Sequence, residues 1–345
     1  MPIIDIKKLS KTYRVYQKKE GLLASLRGLV HRQYRTIHAV SEIDLTVEQG
    51  EFVAFLGPNG AGKTTTLKML SGVINPSSGQ CTVMGFVPWK RENAFRRRMA
   101  LVMGQKNQLW WDLPAQESFR LHQHIYGIEK GRFEQTKSEL ADMLTVTELM
   151  GQPVRELSLG ERMKMELIAA LLHSPSVLFL DEPTIGLDVV AQHNIQNFLR
   201  HYQQDRKITI ILTSHYMKDI AALCRRVVII AGGTIHYDGS LRGIIDRFGS
   251  EKIITLTLAK TESLAGLEKV GREVSIEIPK IKFRLPKDEV AKTLAQVFST
   301  KHVEDIVVED PPLEEVIARV FFEAEQSMNG GNSSAAGNPL EISRR

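Results

Sequence analysis

The chain has 345 residues, 43% of them apolar, and a formal charge of +5 at neutral pH, which suits one large domain with a real core and a small second one. Its two cysteines, Cys81 and Cys224, leave no room for a disulfide framework or a cysteine-rich metal site, so a reducing cytoplasmic setting is expected. The first residues lack the basic stretch and apolar run of a secretion signal, and no apolar stretch approaches the roughly 20 residues that span a bilayer.

Charge is concentrated at the amino-terminal end. Residues 1–36 hold nine lysines and arginines against Asp5 and Glu20, a local +7 that leaves −2 for the remainder. Tyr13 closes the run Leu9-Ser10-Lys11-Thr12, at an expected strand end, and Tyr16 lies just beyond it. Within residues 15–36, Leu22, Leu23, Leu26, Leu29 and Val30 recur at helical spacing with Arg27, His31, Arg32 and Arg35 between them, which predicts a basic amphipathic insert. Such a helix lies on an anionic membrane face, lies against a membrane subunit, or packs on its own domain with a solvated basic side.

Next comes an apolar run, 51–56, feeding Gly57-Pro58-Asn59-Gly60-Ala61-Gly62-Lys63-Thr64-Thr65, which fits the phosphate-loop pattern G-x-x-x-x-G-K-[ST]. Glycines let successive N–H groups curl into an anion nest, Lys63 adds a point charge on the β- and γ-phosphates, and Thr64 offers a hydroxyl to magnesium. The helix after the loop, with Leu67, Met69 and Leu70 apolar, aims its positive end at the same place. Strand before and helix after is the context this motif needs, and it predicts nucleoside triphosphate binding.

Gln105 ends a further apolar strand, and Trp110-Trp111 come next on an expected loop, either as interface anchors or as core. Residues 114–157 are helix-rich, with helices expected over 115–126 and 133–144; His122 and His124 point to different faces and make no zinc site. Leu157-Ser158-Leu159-Gly160-Glu161 opens a helix-forming run, 161–172, so the Ser158 hydroxyl and the N–H groups after it sit at a helix start suited to phosphate. The strand expected at 176–180 ends on Asp181-Glu182. Alternation sends those carboxylates to different sides, one for magnesium and one to polarise a nucleophilic water. Asp188 lies a few residues on, and His215 comes after an apolar strand at 208–212.

Past residue 248 strands are expected at 252–258, 273–278, 281–285 and 302–308, with helices at 288–298 and 313–322, the last carrying Leu313, Val316, Ile317 and Val320 as its stripe. This gives domains 1–247 and 248–325 and a flexible Gly/Ser-rich tail, 326–345.

In order and spacing over residues 1–245, these motifs resemble the ATP-binding subunits of ABC transporters. The resemblance implies an α/β P-loop NTPase domain with a helical subdomain at 114–157, plus a small C-terminal α+β domain. It assigns the signature to Ser158, Leu159, Gly160 and Glu161, the D-loop acid to Asp188, the switch histidine to His215 and the Q-loop glutamine to Gln105. It also implies adenine stacking on Tyr13, with Tyr16 as the other candidate, and magnesium held by Thr64, Asp181 and Gln105. Catalysis falls to Glu182, His215 and Gln105. The signature departs from the usual L-S-G-G-Q at Leu159 and Glu161.

The basic insert and the C-terminal appendix resemble those of the drug and polysaccharide exporter branch, the daunorubicin-type exporter ATPases. That resemblance implies an ATP- and magnesium-dependent motor, a head-to-tail homodimer peripheral to the cytoplasmic face of the cell membrane, driving permease subunits on separate chains. An importer motor shares every catalytic residue. A nucleic-acid-associated ABC ATPase fits the basic arm but has a long coiled coil or two cassettes, which this chain lacks, so no nucleic acid is expected as partner.

Overall fold

The computed structural model describes residues 1–16, 34–104, 106–214, 217–259, 270–277 and 279–329. They divide into two compact units, Met1–Asp238 and Gly239–Arg345.

The first unit is built on two sheets. Strand β1 (Ile4–Tyr16) pairs antiparallel with β2 (Tyr34–Val47) on one side and with β4 (Ser78–Val83) on the other. The second sheet runs in the order β5 (Met99–Met103), β6 (Val177–Asp181), β7 (Thr209–Thr213), β3 (Phe52–Leu56), β8 (Arg226–Ala231) and β9 (Thr234–Ser240). Neighbours from β5 to β8 are parallel. Parallel strands are covered on both faces, which is why β3 is apolar throughout and β7 and β8 carry the continuous apolar stretches 210–212 and 227–231 and not alternating ones. Phe55, Leu67, Met69, Phe95 and Phe179 are fully buried in the core between the two sheets.

Helix α1 (Lys63–Leu70) comes after β3; α2 (Ala115–Tyr126) and α3 (Lys130–Met143) form the expected helix-rich stretch. Helix α4 (Leu159–Leu171) begins at the signature, α5 (Val189–Arg206) comes after β6, and α6 (Met217–Leu223) after β7. Order is imposed locally by caps. Glu129 accepts the Gly131 and Arg132 N–H groups ahead of α3, and Asp188 accepts Ala191 N–H at 2.9 Å ahead of α5.

The second unit contains α7 (Leu241–Phe248), capped by Ser240, and an antiparallel sheet in the order β11 (Arg272–Glu277), β12 (Lys280–Pro286), β10 (Glu251–Leu258), β13 (Val303–Glu309). Helices α8 (Val290–Thr300) and α9 (Leu313–Asn329) complete it. Alternation along β10 and β12 buries Ile254, Leu256, Ile281, Phe283 and Leu285 on one face. Arg284 grips Glu315 with two bonds of 2.7 and 2.8 Å, fixing β12 to α9 and holding the Glu315 carboxyl below its usual range. All of helix α7 but Phe248 lies before the expected 247/248 division, and the helix packs with α9 inside the second unit.

The amphipathic stretch of the 15–36 insert lies outside the described residues, but its ends do not. Val15 pairs with Arg35 and Tyr16 with Tyr34, so the insert's limits are strand and its base is a two-stranded ribbon. Among the described residues no helix is long and apolar enough to cross a membrane.

Candidate functional site

The carboxyl ends of β3, β6 and β7 converge, the usual location of ligand crevices in parallel α/β sheets. From β3 the chain enters residues 57–62 and turns into α1 at Gly62, whose φ of +107° and lack of Cβ let it pass 2.4 Å (ideal Cβ to oxygen) from the Ala39 carbonyl of β2. Lys63 is 5% exposed, and its ammonium donates to the Gly57 and Pro58 carbonyls at 2.6 and 3.1 Å. Burial pulls its pKa down, opposed by the negative charges of Glu182 and Asp181, which places both carboxylates within its field.

Asp181 closes β6. Its Oδ1 accepts the Thr64 hydroxyl at 2.9 Å and the Thr213 hydroxyl at 2.7 Å, joining the phosphate loop to a motif 117 residues away. Register makes this possible, because Asp181 stands opposite Thr213 in the β6–β7 ladder and opposite Met103 in the β5–β6 ladder. Sequence reasoning misses Thr213, whose one trace is a hydroxyl ending the apolar run before His215. A carboxylate and a hydroxyl side by side are hard oxygen donors of the kind that hold magnesium together with phosphate oxygens, and the fit rests on those two groups. Among the described residues no cluster of three His, Cys, Asp or Glu side chains could hold a metal alone.

Glu182 adopts φ +54°, a region costly for a residue with a Cβ. Its N–H is held by the Thr213 carbonyl and hydroxyl, both at 3.1 Å. Strain held in place by the surrounding ladder is typical of functional positions. Gln105 and His215, expected beside this carboxylate, lie outside the described residues.

Tyr13 is 36% exposed on β1 and lies under the Lys11 ammonium, 5.2 Å from the ring centre. It pairs with Ile37, two residues from the Ala39 carbonyl that abuts Gly62, so the ladder carries it toward the phosphate loop. Tyr16 is 40% exposed, lies three residues farther along and meets the Tyr34 ring edge-on.

The signature forms the start of α4, after the helical stretch. Ser158 is its N-cap, in a complete capping box with Glu161. Gly160 is needed where it stands, since a Cβ there would come within 2.8 Å of Ala191 Cβ at the start of α5. Leu159 lies against Gly186, a 3.1 Å approach for any added Cβ. Asp188 is engaged as the cap of α5. Trp110 and Trp111 are 49% and 46% exposed and so are not core; the Arg162 guanidinium of α4 stands 5.1 Å over the Trp111 ring. Glu166, a buried acid in the apolar run of α4, is likewise missed by sequence reasoning, and it accepts Gln108 N–H at 2.8 Å.

Residues 40–185 match the family described as ABC transporter, and residues 250–309 match the EvrA-like ABC transporter C-terminal domain. The chain is 31% identical over 226 residues to the ABC transporter ATP-binding protein NatA of Bacillus subtilis, a match covering 66% of this chain and 92% of that one. With the Nod factor export ATP-binding protein I of Cupriavidus pinatubonensis it shares 34% identity over 217 residues, 63% of this chain and 66% of that protein. It is 25% identical over 319 residues to the cholesterol transporter ABCA5 of Rattus norvegicus; the match covers 88% of this chain but only 19% of that protein. Among solved structures, a dimeric ATP-binding cassette described in a post-hydrolysis state with ADP and Pi superposes with a TM-score of 0.58 at 22% identity, covering 70% of this chain and 99% of that one. The chain therefore belongs to the ATP-binding proteins of the ABC transporter family. The fold is that of the ABC ATPase, and ATP hydrolysis is the activity of this class.

Proposed function

We propose that the protein is the ATP-hydrolysing motor of an ABC exporter, working as a homodimer bound to permease subunits on separate chains at the cytoplasmic face of the membrane. The observation that carries it is Asp181 Oδ1 shared by the Thr64 and Thr213 hydroxyls beside the buried Lys63 ammonium. In this reading Gly57 to Thr65 cradle the β- and γ-phosphates, Tyr13 stacks on adenine, and Thr64 with Asp181 and Gln105 would hold magnesium, which would supply positive charge against that building on the phosphates. Glu182 polarises the attacking water and His215 touches the γ-phosphate. Ser158, Leu159, Gly160 and Glu161 close over the ATP of the second copy. Ser158 is exposed at the start of α4, as a hydroxyl serving another molecule requires.

ATP closes the pair and hydrolysis reopens it; the Gln105 to Trp111 segment passes the motion to the permease. Export is supported by the function for which the Nod factor relative is named. A hydrophobic or cationic compound, or a lipid-linked polymer, is the class of cargo this reading favours. The test is purification of the tagged protein from membranes in mild detergent with identification of what accompanies it at equal stoichiometry. A polytopic membrane protein without a solute-binding protein is expected. A solute-binding protein would turn the reading to import, and ribosomal or DNA-bound material without a permease would overturn it.

A further inference from the structure

At the start of α4 one oxygen serves two donors. Glu161 Oε2 accepts the Ser158 hydroxyl at 2.7 Å and the Ser158 N–H at 2.9 Å, while Ser158 Oγ accepts Glu161 N–H at 3.3 Å. A serine hydroxyl has a single proton, and here it goes to a carboxylate in a short charge-assisted bond. Those same two bonds, helped by the nearby Lys164 charge, hold the Glu161 carboxyl below its usual range, so the group is ionised at neutral pH. Both donors of Ser158, its hydroxyl and its N–H, are thereby committed to its own helix, and a negative charge stands beside them. A glutamine at this position supports the same capping box without the charge.

We infer that Glu161 is a positioning residue that latches the Ser158 hydroxyl, so that closing the signature over the second copy's triphosphate first requires this bond to be given up against a like charge. The inference rests on the dimer reading above. It makes closure weaker and turnover slower than the rest of the site allows, and it gives Glu161 a restraining role that glutamine at this position does not have. Opening the latch leaves Gly160 in place and can leave the Ser158 N–H on Glu161 Oε2; it is the Ser158 hydroxyl that has to turn its proton away from the carboxylate.

The test uses the full chain carrying Glu182→Gln, which is expected to retain ATP without turning it over, and measures ATP-dependent dimerisation by sedimentation across a range of salt. Adding Glu161→Gln should tighten the dimer about tenfold or more even though it slightly lowers the melting temperature, because glutamine keeps the capping box without the charge. Glu161→Asp, which keeps the charge, should give no such tightening. Higher salt should strengthen the dimer more while Glu161 is present than after Glu161→Gln, because screening weakens the like-charge contact that only the glutamate makes. A salt response of this sign is not produced by a merely structural role. Equal dimerisation with glutamate and glutamine at every salt concentration overturns the latch and leaves the dimer reading standing. Failure of both proteins to dimerise, with ATP binding demonstrated in each, overturns the dimer reading and the latch with it.

Discussion

Glu166 Oε1 accepts the backbone N–H of Gln108 at 2.8 Å and of Leu109 at 3.3 Å, so the helix that begins at the signature holds the segment leading into Trp110 and Trp111. The Arg162 guanidinium over Trp111 makes a second tie from the same helix. Glu166 is 2% exposed, and among the described residues its Oε2 has no hydrogen-bond partner. Glu166→Ala would strand two N–H groups, a loss of about 1–3 kcal/mol. The expected result is a lower melting temperature together with faster hydrogen exchange at the Gln108 and Leu109 amides. Unchanged exchange there would show that the tie is dispensable.

Glu166 also sets a pH dependence. Burial, partly offset by its backbone hydrogen bonds, pushes its pKa up from 4.5 to about 7, while burial of His173 pulls that group down from 6.5 to about 4. Between pH 4.5 and 7 the folded chain holds a proton on Glu166 that the unfolded chain has released, so this group makes stability fall as pH rises. Between pH 4 and 6.5 the unfolded chain protonates His173 and the folded chain does not, so this group makes stability rise with pH. Each slope approaches about 1.4 kcal/mol per pH unit at most, and the two oppose each other. Denaturant melts from pH 4.5 to 6.5 should therefore be flatter for the natural chain than for Glu166→Gln, which should lose stability on acidification, or for His173→Gln, which should lose it as pH rises.

Thr213→Val keeps the shape of the β7 strand end and removes the hydroxyl that holds Asp181 Oδ1 and Glu182 N–H. Turnover should fall about tenfold or more, corresponding to roughly 1.4 kcal/mol of lost positioning. Nucleotide affinity measured by fluorescence titration should change much less. A loss confined to affinity would place Thr213 in binding and not in catalysis.

Lys63→Ala should weaken ATP binding by about tenfold or more, whereas Glu182→Gln should leave binding nearly intact, abolish turnover and trap a dimer. Calorimetric titration and a steady-state ATPase assay separate the two. Undiminished affinity after Lys63→Ala would contradict the phosphate-loop assignment, and full hydrolysis after Glu182→Gln would remove Glu182 from its role on the water.

The residues readable from sequence are those whose chemistry is written contiguously. Gly57 to Thr65 and the Asp181-Glu182 pair each need neighbours in the chain, so spacing alone exposes them, and continuous apolar runs mark β3, β6 and β7. Thr213 acts through a register between strands that are distant in sequence, and Glu166 acts across a helix and a loop, so neither leaves more than a polar residue at the edge of an apolar stretch or inside one. The signature departure at Glu161 is visible in the sequence, but the bond that it makes with Ser158 is not. Helix α9 runs to Asn329, past the 313–322 expected, because residues beyond Phe322 such as Glu323 and Ala324 are good helix formers without an apolar stripe to announce them.

The β1–β2 ladder ends where Tyr16 meets Tyr34, with ring centres 6.1 Å apart, and residues 17–33 leave and return through that one gate. Because both gateposts are locked in the ladder as direct partners, the two ends that any replacement for residues 17–33 has to join stand at a fixed, short separation, whatever the length of chain between them.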